Sequence, residues 1–325
     1  MVQELQLTAT VSESQRGQRL DQVITELFPH YSRSRIKTWI LDNRVRVNSK
    51  IARKPKEKVL GGEIITIVAQ IEAALRWEPQ NIALDIFYED SDILVINKPH
   101  DRVVHPGAGN PDATILNALI HYYPKISDVP RAGIVHRLDK NTTGLMVVAK
   151  TVRAQNRLVE SLKERGIIRE YEAVAIGAMI AGGTVDAPIW RHSKKRTHMV
   201  VRPMGKPAVT HYRILEHFRD YTRLRLRLET GRTHQIRVHM SHIKHPLVGD
   251  PLYGGRPRWP KGASEGLITI LRGFNRQALH ASYLGFAHPV SGIKMNLHAP
   301  LPQDMLDLIT MLKADSIVIK GKKDC

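Results

Sequence analysis

The chain has 325 residues, 42% of them hydrophobic, and a formal net charge of +18 from 49 Lys and Arg against 31 Asp and Glu. That length allows one or two domains with a sizeable core, and so large a positive charge points to a polyanionic partner. No apolar run approaches membrane-spanning length, and the sole cysteine is Cys325, which excludes a disulfide framework. The opening MVQELQLTAT lacks a basic stretch followed by an apolar one, so no secretory signal is expected and the cytoplasm is the expected compartment.

A first module is expected over residues 16–68. Leu20, Val23, Ile24 and Leu27 fall at helical spacing, and Pro29 ends that helix. Ser32 is the expected cap of a second helix, Arg33 to Asp42, whose apolar side includes Ile36, Trp39 and Ile40. Short alternating strands follow, Val45 to Asn48 and Ile64 to Val68. Residues 16–60 carry 12 Lys or Arg against 4 Asp or Glu. Arg19, Arg33, Arg35, Lys37 and Lys54 are therefore candidate contacts to a phosphate backbone, against the plainer reading of a solvated basic surface.

Residues 69–84, with Trp77-Glu78-Pro79, read as a linker. A second domain is expected over 85–312, opening with Ile86 to Asp90 and a strand from Ile93 to Ile96. Within it, His136-Arg137-Leu138-Asp139-Lys140-Asn141-Thr142-Thr143-Gly144 lies between two short apolar segments. An Asp in such a loop, flanked by Arg137 and Lys140 that favour its ionised form, is a candidate catalyst. It would equally cap a turn with Thr142 or Thr143, and the local string leaves both readings open.

Further along, Tyr171 stands in a strand-like run to Ile176. Residues 190–237 carry 13 Lys or Arg against 3 Asp or Glu, and Lys194, Lys195 and Arg196 make this the expected second backbone-binding surface. His234, His239, His242 and His245 match no zinc spacing, so structural hydrogen bonds or phosphate contacts are expected of them and no metal. Neither a Walker loop nor a dinucleotide glycine fingerprint is present, and no cofactor is expected. The polar, Lys-rich stretch 313–325 reads as a flexible tail.

Several blocks together carry a family resemblance. HRLDKNTTGL at 136–145 resembles the signature of the RluA-type pseudouridine synthases. Around it stand Asn97-Lys98-Pro99 with Val104-His105-Pro106-Gly107, Arg169-Glu170-Tyr171-Glu172-Ala173 and Thr230 to His239. His245 to Pro251 and Gln277 to Ala281 follow in the same order. The resemblance runs from about residue 16 to about 312. The first module is similar to the alpha-L RNA-binding domain, through Arg19-Leu20-Asp21, Ser34-Arg35, Val45 to Asn48, Lys54-Pro55 and Val59 to Glu63. Asn43 and Ser49 stand where that pattern usually has Gly, and His100-Asp101-Arg102 departs from the catalytic pattern.

The resemblance implies an α+β fold: a mixed, mainly antiparallel sheet with flanking helices and a central cleft, preceded by a small α/β RNA-binding domain. It implies that Asp139 is the catalytic residue, a nucleophile or a base in converting uridine to pseudouridine. Tyr171 is then the aromatic face for uracil, and Arg237 the partner that holds Asp139, with Arg232 competing for that role or for a phosphate. Ile236 and Leu228 would line the pocket, His136 would contact the substrate, and Arg137 would fill the space of an everted nucleotide. The expected substrate is large-subunit ribosomal RNA, acted on by a monomer without cofactor or membrane. Transfer RNA, or a non-catalytic role in ribosome assembly, remain the alternatives.

Overall fold

The computed structural model describes residues 2–28, 31, 33–72, 77–107, 109–255 and 259–323, and these divide into two compact units, Met1–Trp77 and Glu78–Cys325.

The first unit begins with strand β1 (Val2–Thr10), followed by helices α1 (Leu20–Leu27) and α2 (Arg33–Leu41). Strands β2 (Val45–Val47), β3 (Lys50–Ile51) and β4 (Ile64–Glu72) complete a sheet of order β1-β4-β2-β3. Leu20, Val23, Ile24, Ile36, Trp39 and Ile40 bury their shared helical faces against Val45, Ile65 and Ile67. Strand β1 was not expected, and it moves the start of this unit from residue 16 to residue 2. It pairs antiparallel along all of β4, from Val2 opposite Glu72 to Thr10 opposite Ile64, so residues 69–72 belong to the sheet and not to a linker. Pro29 and the expected cap Ser32 lie outside the described residues.

The two departures from the glycine pattern keep the glycine conformation. Asn43 has φ 59° and Ser49 φ 68°, both left-handed. Asn48, expected at the end of β2, also turns at φ 46°, and its Oδ1 accepts the Ile64 N–H at 2.9 Å.

The second unit opens with β5 (Ile86–Glu89), β6 (Ile93–Lys98), helix α3 (Ile115–Tyr122), β7 (Thr143–Ala149) and α4 (Val152–Lys163). β8 (Ile168–Ile176), β9 (Gly183–Asp186), the hairpin β10 (Ile189–Arg191) and β11 (Met199–Val201), β12 (Val209–His217) and β13 (Tyr221–Leu228) follow. Helices α5 (Gln235–His242) and α6 (Glu265–Gly273), strands β14 (Leu279–Ala287) and β15 (Lys294–His298), and helix α7 (Gln303–Lys323) complete it. One sheet runs β5-β6-β7-β14-β8-β13-β12-β9, with β15 beside β14. Among the described residues of this sheet, only the β7–β14 pair is parallel.

Strand alternation divides the core. Leu94, Ile96, Met146, Val148, Tyr171, Leu226 and Leu228 face one side with α3 and Ile236 of α5. Ile93, Val95, Leu145 and Val147 face the other with α4. Gly144 sets the parallel junction: at φ 113°, a Cβ there would lie 2.3 Å from the Ala281 carbonyl oxygen.

Two boundaries differ from the sequence expectation. Residues 78–84 are tied to the second unit, because the Glu78 carbonyl accepts from Asn117 Nδ2 at 2.9 Å and Gln80 Oε1 accepts the Ala113 N–H at 2.7 Å. The polar stretch from Lys313 continues helix α7 to Lys323 instead of forming a loose tail. Its anchors are polar and therefore invisible to a search for apolar ones: buried Asp315 accepts the Ser264 N–H, and Ser316 Oγ accepts the Arg219 N–H.

Candidate active site

Asp139 stands in the loop between Ile134, which bridges to Val148, and the start of β7. Its carbonyl accepts the Thr142 N–H at 3.1 Å, so the turn is closed by backbone. Thr142 Oγ1 is held from the other side by Gln277 Nε2 at 2.9 Å. The carboxylate is therefore not consumed as a cap and faces a cavity of about 590 Å³, lined also by His136, Arg137, Tyr171, Leu228, Arg232 and Ile236.

Arg237, on the first turns of α5, donates from Nη1 to Asp139 Oδ2 at 3.1 Å. The opposite side of the guanidinium is clamped by Asp250, with Nε to Oδ2 at 2.7 Å and Nη2 to Oδ1 at 2.8 Å. Asp250 is wholly buried and also accepts the Leu252 and Tyr253 N–H groups. Burial opposes the charge on Arg237, but the hydrogen bonds and charges of Asp250 and then Asp139 more than offset it and hold the guanidinium above its ordinary pKa. Asp139 Oδ1 has no hydrogen-bond partner among the described residues.

His234 caps α5 in a left-handed conformation, φ 55°, with Nε2 4.0 Å from Asp139 Oδ2. Tyr253 Oη accepts the Met199 N–H at 2.8 Å and is hydrogen-bonded to His234 Nδ1, also at 2.8 Å. Burial lowers the pKa of the imidazole, with the charge of Asp139 acting against that shift.

Tyr171 is buried, and burial first, then the charge of Asp139, raises the pKa of its phenol despite the opposing effect of Arg169. His136 accepts the Val147 N–H at Nε2, 3.1 Å, so that its ring is anchored at the cavity wall, and burial holds its pKa down at about 3. Arg137 is exposed at the mouth of the cavity, while Leu228 and Ile236 are buried in its wall. Arg232 does not compete for Asp139: its Nε donates to the Pro207 carbonyl at 3.1 Å. His239 and His245 are engaged elsewhere. His239 Nε2–H donates to the Ala187 carbonyl with Thr210 on Nδ1, and His245 Nδ1–H donates to the Ile176 carbonyl.

Of the expected backbone contacts, Arg19 and Arg33 each reach buried Asp21 at 3.0 Å, with Lys37 at 3.8 Å. Burial raises the pKa of Asp21, but the hydrogen bonds from Arg33 and Arg19 prevail and lower it. Three cations on one carboxylate leave net positive charge at that surface. Arg35, Lys54, Lys194, Lys195 and Arg196 are exposed.

Sequence reasoning assigned no role to Lys98, Asp250, Tyr253 or Arg169. Lys98 is fully buried and donates to the carbonyls of Pro99, Arg102 and Lys140, binding two loops beside Asp139. Burial lowers its pKa to about 7, the charge of Asp139 acting against that shift. All four fall inside or beside the matched blocks. A short NKP or GDP string says nothing about which loop it will meet.

Comparison with known proteins places these observations in a family. Residues 92–242 match the model described as RNA pseudouridylate synthase, and residues 18–65 match the S4 domain. A Yersinia pestis protein named "Ribosomal large subunit pseudouridine synthase D" is 73% identical over 324 residues, covering 100% of both chains. The Escherichia coli K12 protein of that name is 74% identical over 315 residues, 97% of each chain. Among solved structures, "Human RNA Pseudouridylate Synthase Domain Containing 4" superposes with TM-score 0.56 at 27% identity, covering 70% of this chain and 92% of that one. The chain therefore belongs to the RluA-type RNA pseudouridylate synthases, isomerases that here carry an S4 domain.

Proposed function

We propose that this chain converts specific uridines of large-subunit (23S) ribosomal RNA to pseudouridine, with Asp139 acting on a nucleotide everted into the cavity. The observation that carries the reading is the Asp139–Arg237–Asp250 chain, with one carboxylate oxygen left free. Isomerisation breaks the N1–C1′ bond, turns the uracil and rejoins it through C5, with no net oxidation and no group donor. Attack by the carboxylate and removal of a ribose proton both require an ionised oxygen in a site poor in water. Arg237 fixes the orientation of the Asp139 carboxylate, and Asp250 keeps Arg237 from swinging into the cavity.

Tyr171 supplies a rigid ring for the uracil, closed in by Leu228 and Ile236. Eversion costs a few kcal/mol of stacking, and the exposed guanidinium of Arg137 at the cavity mouth is suited to fill the vacated stack. The S4 unit and the exposed Lys194, Lys195 and Arg196 bind the phosphate backbone. One chain contains every residue of this site, which supports action as a monomer, and the polyanionic substrate supports a cytoplasmic setting. No helix among the described residues is long and apolar enough to cross a membrane.

The test is Asp139→Asn. Pseudouridine formation on a large-subunit RNA transcript should vanish, while RNA affinity stays at the wild-type level. Residual activity would overturn the role of Asp139; modification of transfer RNA alone would overturn the substrate.

A further inference from the structure

Alternate residues of a strand share a face, so β8 turns Arg169 to the same side as Tyr171, and both line the cavity with Asp139. Arg169 is only 8% exposed. Its Nε is sealed from solvent with no acceptor, and the guanidinium makes no hydrogen bond or ion pair among the described residues. The other arginines buried in this unit are provided for: Arg237 has two carboxylates, and Arg276 has both oxygens of Asp304. The side chains that sense the charge of Arg169, His136 and Tyr171, are both held neutral by their surroundings. Space is kept for it as well, since a Cβ on Gly231 would lie 2.8 Å from Nη1.

Taking a guanidinium out of water without an acceptor is costly. A fold that does so beside a reaction cavity holds a cation ready for a charge that arrives later. Resting on the roles given above to Asp139 and Tyr171, we propose that Arg169 is a catalytic residue that donates to a carbonyl oxygen of the uracil as the base leaves the ribose.

The electron count identifies that charge. When N1–C1′ breaks, its bonding pair departs with the base, giving a uracil anion spread over N1, O2 and O4, whether Asp139 has bonded to C1′ or taken a ribose proton. Addition of the carboxylate to the base at C6 would likewise load O4. Later C5 bonds to C1′, the C5 proton is lost and N1 gains one, so the anion is transient and nothing is oxidised or reduced. A phosphate is the less fitting ligand. The cations at the mouth, Arg137 and Arg165, are exposed, whereas Arg169 lies in the wall on the tyrosine side.

The experiment uses the full chain with Arg169→Met and Arg169→Lys, a 23S RNA transcript, single-turnover rates, RNA affinity across salt concentrations, and thermal melting of the free protein. The Met variant should lose about a hundredfold to a thousandfold in rate, the effect of removing one donor to a developing oxyanion. Its affinity and salt slope should stay unchanged, and its Tm should match or exceed wild type, because an unpaired buried charge has been removed. The Lys variant, which keeps charge but not the planar fork, should recover part of the rate. If Arg169→Met instead weakens binding and lowers the salt slope by about one at unchanged rate, the group holds a phosphate and the proposal falls. A loss of Tm in both variants overturns it in favour of a structural role. Asp139→Asn run in parallel separates the two readings. An active Asp139→Asn removes the Asp139 assignment, whereas an inactive one beside a fully active Arg169→Met removes this proposal alone.

Discussion

Asp250→Asn isolates the anchoring of Arg237 from its contact with Asp139. In the native site Asp250 Oδ1 accepts three N–H groups, from Arg237 Nη2, Leu252 and Tyr253, while Oδ2 accepts one, from Arg237 Nε at 2.7 Å. The best orientation of an Asn keeps its oxygen in the Oδ1 position and points its NH2 at Arg237 Nε, donor against donor. One charge-assisted bond is lost, and the buried guanidinium retains only Asp139, which is 15% exposed, as counter-charge. Removing one partner of a buried pair costs about 3–5 kcal/mol, and the surviving Asp139 contact puts the expectation at the lower end, about 3 kcal/mol. For a unit of this size that is a Tm drop of roughly 6–12 °C. A released guanidinium shifts toward Asp139, and a displacement on the order of 1 Å lowers the single-turnover rate about a hundredfold. RNA affinity should not change, since Asp250 is wholly buried. Calorimetry with single-turnover assays of pseudouridine checks both numbers. An Asp250→Asn protein that melts within roughly 2 °C of wild type and keeps its rate would refute the anchoring argument.

Stability should fall on mild acidification. Burial holds His136 at about 3 and His280 at about 4, below the ordinary histidine value of 6.5. Between 6.5 and 4 the unfolded chain therefore takes up protons that the folded one refuses. The stabilisation, complete above 6.5, is lost as pH falls, at up to about 1.4 kcal/mol per pH unit for each histidine. Urea unfolding at pH 7.5, 6 and 5 measures this, and equal midpoints would contradict it. Ser49→Gly should stabilise the S4 unit by about 0.5–1 kcal/mol, because the left-handed φ of 68° strains Ser and not Gly, even after the greater freedom of unfolded Gly is counted. A lower or unchanged midpoint for that unit's transition would show that the turn stores no strain.

Strand β1 illustrates what patterning misses. Leu5, Leu7, Ala9 and Val11 alternate with polar residues, yet nothing local to Val2–Thr10 names β4 as their partner, sixty residues away. The stretch from Lys313 reads as a tail for a related reason: Met305, Leu308, Ile309 and Leu312 pack the helix into the core, but beyond them its contacts come from Asp315 and Ser316, polar residues whose partners belong to other segments.

By itself the sequence determined the two-part chemistry of the chain. Its excess of Lys and Arg, the helical and strand periodicities of residues 20–68, and a loop Asp between two apolar segments follow from composition and spacing, and the motif order carried the family. Tertiary structure alone decided which guanidinium meets Asp139, which carboxylate steadies that guanidinium, and which arginine is left without an acceptor. Residues 139, 169, 237 and 250 are far apart in the chain, and hydrogen bonding depends on angles and separations of a few ångströms that only the packed sheet and helix α5 define.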